Sequence, residues 1–199
     1  MSLLLLVIAY LIGSIPFGYL LVKWKTGRDV RSMGSGNIGA TNVVRTTGWG
    51  IGVATLLLDI AKGFVAVFLM ARFGELSPFW TSAAALAVIA GHAFPVFLRF
   101  RGGKAVASFI GAFLYLTPLP LFATLLVFVV GVAVSKHISL GSVLAAGTFP
   151  LAVFLILHPE WPIMIASIIT AAFIVYRHRE NIQRIRQERE SVFTLGRRT

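Results

Sequence analysis

The chain has no cysteine and few acidic residues, and both absences exclude chemistry. Without cysteine it forms no disulfide, has no thiolate nucleophile and offers no sulfur ligand to a metal. Its 7 Asp and Glu residues are dispersed among 18 Lys and Arg, and its 4 histidines are widely separated. We therefore predict no metal site, no bound cofactor, no pair of catalytic carboxylates and no Ser-His-Asp triad.

Charged residues of either sign are scarce, and long apolar runs take their place. Charged residues make up 13% of the chain, against about 25% in an average soluble domain, and the mean hydropathy is +0.87. A spanning helix needs about 20 apolar residues, and seven apolar segments cover residues 3–22, 50–71, 79–98, 104–116, 119–135, 141–157 and 161–176. We predict an all-α, polytopic membrane bundle of seven transmembrane helices in residues 1–181, followed by a basic tail in residues 182–199.

The basic residues predict the orientation of this bundle. Except for Lys62 and Arg72, they fall in alternate connections between the apolar segments and in the tail from Arg177. Because short cytoplasmic loops collect Lys and Arg, we expect the N-terminus outside and the C-terminus in the cytoplasm. This requires residues 117–120, Thr-Pro-Leu-Pro, to separate two short helices, since one long helix would place Lys136 on the opposite side. The net charge of +11 then indicates membrane orientation rather than binding to nucleic acid.

The first long cytoplasmic connection is rich in small polar groups. Residues 34–45 read Gly-Ser-Gly-Asn-Ile-Gly-Ala-Thr-Asn-Val-Val-Arg. Glycines let successive backbone N–H groups approach an anion, and the hydroxyl, amide and guanidinium side chains add hydrogen bonds and charge. The alternative interpretation is a capped turn between two helices. The residues that would bind an anion here are Ser35, Gly36, Asn37, Gly39, Thr41, Asn42 and Arg45.

The second cytoplasmic connection enters the fourth predicted helix through Gly102, Gly103 and Lys104. A helix N-terminus carries unpaired N–H groups and a partial positive charge, so this position suits a phosphate. It is not a Walker A loop, because the upstream glycine and the following Ser or Thr are absent. His92 lies about one and a half turns before the end of the third predicted span, beside Pro95. Either a functional role or a buried, hydrogen-bonded role fits His92.

The remaining cytoplasmic connections hold fewer candidates. Ser139 and Ser142 stand where either hydroxyl would cap the sixth predicted helix. His178 and Asn181 are three residues apart at the inner end of the last span, so they would share a helix face.

Asp59 and Lys62 have the same spacing inside the second predicted span. Charges within a bilayer are costly, so this spacing predicts an ion pair that faces the bundle interior.

The groups in the cytoplasmic connections suit a phosphorylated substrate whose apolar part lies in the bilayer. A transporter of phosphorylated solutes is the main alternative, although it would need a site near the bilayer midplane and usually internal repeats. A scaffold that binds lipid headgroups would explain the basic loops but not the glycine-rich motifs.

Taken together, the motifs resemble those of the bacterial acyl-phosphate:glycerol-3-phosphate acyltransferase family. The resemblance covers essentially the whole chain and rests on Gly13-Ser14-Ile15-Pro16, residues 34–42 with Arg45, Asp59 with Lys62-Gly63, Gly91-His92 with Pro95, Gly102-Gly103-Lys104 and Arg177-His178-Arg179 with Asn181. It implies transfer of an acyl group from an acyl phosphate to the 1-hydroxyl of glycerol 3-phosphate, giving lysophosphatidic acid and phosphate for phospholipid synthesis. Family members do not use acyl-CoA, and no histidine of this chain is followed five residues later by aspartate.

The resemblance also implies roles and a location. Catalytic roles are expected for Ser35, Arg45, Lys104, His178 and Asn181. Substrate contacts are expected from Gly36, Asn37, Gly39, Thr41, Asn42, His92, Gly102, Gly103 and Ser142. We expect a multi-pass protein of the bacterial inner membrane, surrounded by lipid, with its site facing the cytoplasm and no obligatory protein partner.

Overall fold

The computed structural model describes residues 1–75 and 77–192, and every regular element in these two ranges is helical. The α-helices are α1 (Ser2–Ser14), α2 (Phe17–Thr26), α3 (Ala40–Thr47), α4 (Trp49–Phe73), α5 (Pro78–Ala93), α6 (Val106–Leu116), α7 (Pro118–Ser135), α8 (Ile138–Leu157), α9 (Trp161–Arg177) and α10 (Arg179–Arg186). They form two compact units, of which the first is Met1–Leu116 and the second begins at Thr117. The first unit therefore holds α1 to α6, and the second holds α7 to α10.

The helices confirm a polytopic, all-helical membrane protein but not the count of seven spans. Among the described residues, the helical stretches long and apolar enough to cross a bilayer are Ser2–Thr26, Trp49–Phe73, Pro78–Leu98, Pro118–Ser135 and Ile138–Leu157. The pair α9 and α10 meets the same criterion only when taken together, with a bend of 50° between them. Helix α6 has 11 residues, and at about 1.5 Å per residue it reaches only about half of the hydrocarbon thickness.

The first predicted span is broken into α1 and α2 at Ile15 and Pro16. Proline lacks an N–H group and its ring clashes with the preceding turn, so the helix ends before it and restarts at Phe17. The carbonyl of Ile15, which leaves the helical pattern here, accepts a hydrogen bond from Lys62 Nζ at 2.8 Å.

Two other predicted segments differ in detail from the helices. The third agrees with the membrane-spanning stretch Pro78–Leu98, within which α5 ends at Ala93 and a 3-10 turn, Val96–Leu98, follows Pro95. His92 therefore lies in the last turn of α5. The fourth helix was expected to open at Lys104 but begins at Val106, because Ala105 has a left-handed φ of 63° that no α-helix accommodates.

Glycines allow the first unit to pack its helices closely. A Cβ atom on Gly63 of α4 would collide with the carbonyl of Ser108, and one on Gly111 of α6 would collide with the carbonyl of Ile60. Small residues of this kind let helix backbones meet directly in a membrane. The close approach of α4 and α6 brings the charged groups of α4 next to the start of α6.

In the second unit, α8 packs against α7 and α9, and the short helix α10 contacts both α8 and α9. The predicted break before α7 is confirmed. Helix α6 ends at Leu116 and α7 starts at Pro118, because proline fits the first position of a helix, where its missing N–H has no intrahelical partner.

Candidate active site

The side chain of Asn42 organises the glycine-rich loop of the first unit. Its Oδ1 accepts from the Ser35 N–H at 2.9 Å, and its Nδ2 lies within hydrogen-bond distance of the carbonyls of Met33 and Asn37, at 3.0 and 2.8 Å. Asn42 is 2% exposed, and these contacts of its amide are with the loop itself. The amide therefore holds the loop, because each of its atoms already has a backbone partner.

The groups that this loop turns outward include two of the predicted catalytic side chains. Ser35 and Arg45 are both exposed, as is Thr41, whereas Asn37 is half-buried and accepts from the Gly39 N–H at 2.8 Å. Gly39 is the N-cap residue of α3. The loop, held by the buried Asn42, thus presents the Ser35 hydroxyl, the first turn of α3 and the Arg45 guanidinium. Hydrogen-bond donors of this kind suit an anion.

The turn at residues 102–104 is built differently from the prediction. The N–H groups of Gly102 and Gly103 donate to the carbonyls of Ala93 and His92, at 3.2 and 3.1 Å. These two amides close the C-terminal end of α5, so they are not the unpaired N–H groups of a helix N-terminus that the sequence predicted here for a phosphate. Lys104 is half-buried directly after them and carries the positive charge of this turn.

The ion pair predicted inside the second span is confirmed. Lys62 Nζ lies 2.8 Å from Asp59 Oδ1, and both side chains are 3% exposed. His92 is equally buried, with its Nδ1 3.2 Å from Ser108 Oγ. His92 therefore has the buried, hydrogen-bonded setting that was one of the two roles expected from the sequence.

The second unit holds the other two predicted catalytic residues, both buried. His178 Nδ1 lies 2.8 Å from the Ile174 carbonyl, which can only accept, so Nδ1 carries a proton and Nε2 is the acceptor nitrogen of the neutral ring. Asn181 Nδ2 donates to Glu190 Oε1 at 2.6 Å. His178 is 3% exposed and Asn181 is 6% exposed.

Comparison with known proteins identifies the family. A family model described as glycerol-3-phosphate acyltransferase matches residues 3–188. The chain belongs to the glycerol-3-phosphate acyltransferase family. It is 46% identical to the glycerol-3-phosphate acyltransferase of Geotalea daltonii, over 96% of this chain and 97% of that one, and 41% identical to that of Geobacillus kaustophilus, over 96% and 95%.

The fold agrees with this membership. The crystal structure of PlsY, an integral membrane glycerol 3-phosphate acyltransferase, in its glycerol 3-phosphate form matches with a TM-score of 0.91 and 38% identity, covering 97% of this chain and 96% of that chain. Its lysophosphatidic acid form matches with a TM-score of 0.87 and 36% identity, over 97% and 95%. The chain is therefore an acyltransferase that resides in a membrane.

One residue tied to the predicted site of this acyltransferase escaped the sequence reasoning. Glu190 accepts hydrogen bonds from Ser139 Oγ at 2.8 Å, Asn181 Nδ2 at 2.6 Å and Arg184 Nε at 2.7 Å. Burial opposes ionisation of this carboxyl, but the three hydrogen bonds outweigh burial and lower the pKa of Glu190. No spacing signal distinguishes Glu190 from the other acidic residues of the tail, because the chain reverses after α10 to reach these partners.

The contacts of the two candidate capping serines correct another prediction. Neither caps α8, whose N-cap residue is His137 with no side-chain hydrogen bond. Ser139 already bonds Glu190, and Ser142 Oγ donates to the Ile138 carbonyl one turn earlier at 2.9 Å. Both hydroxyls lie after the start of the helix, beyond the position from which a side chain reaches back to the first N–H groups.

Proposed function

We propose that this acyltransferase takes its acyl group from an acyl phosphate and transfers it to the 1-hydroxyl of glycerol 3-phosphate. The products are 1-acyl-glycerol 3-phosphate, which is lysophosphatidic acid, and inorganic phosphate. Family membership and the two ligand forms of PlsY support the acceptor and the lipid product. The resemblance of the motifs supports the donor.

The observation that carries the proposal is the loop held by Asn42, which turns Ser35 and Arg45 outward. Both proposed substrates are phosphate esters or anhydrides, and both need donors of hydrogen bonds and positive charge. We assign the Ser35 and Gly36 region to the acyl phosphate. We assign Arg45 and Lys104 to glycerol 3-phosphate, with Ser142 as a further candidate of the second unit.

The carboxylates of the first unit support a direct transfer. Asp29 pairs with Arg31, Asp59 pairs with Lys62, and Glu75 accepts from the indole N–H of Trp80. Each of these three acids is engaged in a contact within the unit, and an acyl phosphate is already activated. The glycerol hydroxyl therefore attacks the acyl carbon, the C–O bond to phosphate breaks, and phosphate departs with that bonding pair.

The hydroxyl proton has two candidate acceptors. One is His178, whose Nε2 is the acceptor nitrogen when the ring is neutral, because Nδ1 donates to the Ile174 carbonyl. The leaving phosphate is the other, since its oxygens are basic enough to take the proton. If the imidazole is the base, we expect His178→Ala to lose activity by about 10²–10⁴-fold. A large residual rate would indicate that the leaving phosphate takes the proton. Asn181 carries a predicted catalytic role on the strength of the resemblance.

The distribution of basic residues supports the remaining parts of the proposal. Lys and Arg concentrate in the connections that hold the site motifs, which favours seven spans, an outer N-terminus and a cytoplasmic site in the bacterial inner membrane. The tail, residues 182–199, is assigned to the cytoplasm, and the protein is expected to need no obligatory protein partner. Residues 193–199 of this tail lie outside the described residues.

The proposed direct transfer is tested by the ratio of phosphate released to lysophosphatidic acid formed. Purified protein in lipid would receive palmitoyl phosphate with and without glycerol 3-phosphate, while free phosphate and acylated product are quantified. We expect one phosphate released per lysophosphatidic acid formed, acylation at the 1-position, and no release without the acceptor. Release of phosphate without acceptor, or a palmitoyl group retained on the protein, would contradict direct transfer.

A further inference from the structure

A buried series of polar contacts links the second span to the turn that carries Lys104. It begins with the ion pair of Asp59 and Lys62 in α4, whose N–O distance is 2.8 Å. The same Lys62 Nζ donates to the Ile15 carbonyl at the break between α1 and α2, also at 2.8 Å. Both charged side chains are 3% exposed, so surrounding helices hold the pair in one arrangement.

His92 continues the series at the end of α5. Its Nδ1 lies 3.7 Å from Asp59 Oδ1 and 3.2 Å from Ser108 Oγ, which belongs to the first turn of α6. A carboxylate and a hydroxyl beside one ring nitrogen fix the rotation of the imidazole and favour a proton on Nδ1. The opposite edge of the ring, with Nε2, therefore has a defined direction.

Gly103 rests against that opposite edge. A Cβ atom on Gly103 would collide with His92 Nε2, so the glycine backbone and the ring are in direct contact. The Gly103 N–H also donates to the backbone carbonyl of His92 at 3.1 Å. The backbone that leads into Lys104 thus has the imidazole on one side and the end of α5 as its hydrogen-bond partner.

We infer that His92 is a positioning residue for Lys104, oriented by Asp59 and Ser108, and that its ring sets where the lysine ammonium meets the substrate phosphate. The inference rests on the proposed function, because it takes Lys104 to bind a phosphate group. It gives His92 a supporting role in place of the substrate contact that the resemblance implies.

Kinetics of single and double variants test this inference. His92→Asn keeps an amide nitrogen near the position of Nδ1 but removes the ring edge that supports Gly103. We expect it to raise the KM of the same substrate that Lys104→Ala affects by roughly 10-fold, and to leave the other KM within about twofold. Ser108→Ala should act in the same direction more weakly. In a Lys104→Ala background, His92→Asn and Ser108→Ala should each raise that KM by less than about twofold, because the lysine that they position is absent.

A matched control separates positioning from general loss of stability. Ser167 is a fully buried serine of α9 in the second unit, and its Oγ donates to the Met164 carbonyl at 2.7 Å. Ser167→Ala removes a buried hydroxyl, as Ser108→Ala does, and should change neither KM. Equal rises of both KM values in His92→Asn would overturn the inference. So would a double variant, His92→Asn with Lys104→Ala, whose KM rise equals the product of the two single rises.

A spin label tests the same geometry without catalysis. The chain has no cysteine, so Lys104→Cys and Lys136→Cys each provide a single labelling position. We expect His92→Asn to increase the mobility of the label at 104 and not at 136, and unchanged mobility at 104 would overturn the inference. Failure of the proposed donor would show separately, as wild-type protein that makes no product from palmitoyl phosphate while the label at 104 still responds to His92.

Discussion

Asn42 Oδ1 accepts a hydrogen bond from the Ser35 N–H at 2.9 Å, so a buried side chain of α3 fixes the backbone of the residue predicted to meet the acyl phosphate. The bond spans seven residues of a loop with two left-handed glycines, Gly34 at φ 56° and Gly36 at φ 71°. A loop of this kind has many conformations of similar energy. The Asn42 amide selects one of them before substrate arrives, which lowers the cost of ordering the site during the reaction.

Asn42→Ala should therefore impair catalysis more than folding. The change leaves the Ser35 N–H and the Asn37 carbonyl without the partner that Asn42 supplies and frees the loop to move. We expect kcat/KM to fall by about 10²-fold and the free energy of unfolding to fall by roughly 1–3 kcal/mol. Thr46→Val is the control, because it removes the Thr46 bond to the Asn42 carbonyl and leaves the amide contacts in place. Equal losses of activity in the two variants would contradict the assignment.

Lys104→Ala should separate the two substrates. We expect the KM for glycerol 3-phosphate to rise by about 10-fold or more, because one charge-assisted contact is worth roughly 1.5–3 kcal/mol, with a smaller rise for palmitoyl phosphate. Lys136→Ala removes an exposed lysine that ends α7 and should leave both values unchanged. If the KM for palmitoyl phosphate rises more, the two phosphate assignments are reversed.

Two glycine-to-alanine changes should have opposite effects on stability. Gly111→Ala places a methyl group against the Ile60 carbonyl of α4, a backbone atom that cannot turn aside, and overpacking of this kind costs roughly 1–3 kcal/mol or more. Gly147→Ala in α8 meets no atom within 4 Å and should gain up to about 1 kcal/mol from helix propensity. Thermal unfolding in detergent, followed by tryptophan fluorescence, measures both. An unaffected Gly111→Ala would mean that α4 and α6 are not in backbone contact.

The hydrogen bonds to Glu190 predict a pH dependence of stability. Burial opposes the charge, yet the bonds from Asn181, Arg184 and Ser139 lower the pKa of this carboxyl. Its contribution is fully present above the unfolded value of about 4.3 and is lost as pH falls through the folded pKa. Glu190→Gln should therefore lower the unfolding midpoint at neutral pH, with a difference from wild type that shrinks below about pH 4.

Glu180→Gln provides the reference for that series. Glu180 is an exposed acid in the first turn of α10, so its substitution should shift the midpoint little at any pH. A constant difference between Glu190→Gln and wild type from pH 3 to pH 7 would show that the carboxylate charge does not contribute.

Local spacing accounts for what the sequence predicted well. Asp59 and Lys62 are one helical turn apart within an apolar span, and a bilayer forces such charges to pair, so the ion pair was predictable. The break at Thr117 was predictable as well, because proline has a strong and local effect on helices. The motifs that resemble the family were recognisable because each is a short run of neighbouring residues.

Other features depend on how the chain folds back on itself, and spacing does not encode them. Glu190 reaches Ser139 across 51 positions of sequence, and the reversal that brings them together has no periodic pattern. The start of α6 depends on the left-handed conformation of Ala105, which the presence of an alanine does not predict. Gly102 and Gly103 predicted unpaired N–H groups at a helix N-terminus, but the nearby end of α5 supplies carbonyls for both amides.

The central claim is the identity of the acyl donor, and one assay tests it most directly. Purified wild-type protein in lipid would receive labelled glycerol 3-phosphate with palmitoyl phosphate in one reaction and palmitoyl-CoA in a parallel one. Labelled lysophosphatidic acid from palmitoyl phosphate alone is the predicted result, with Lys104→Ala as the impaired reference. Product from palmitoyl-CoA alone would contradict the account.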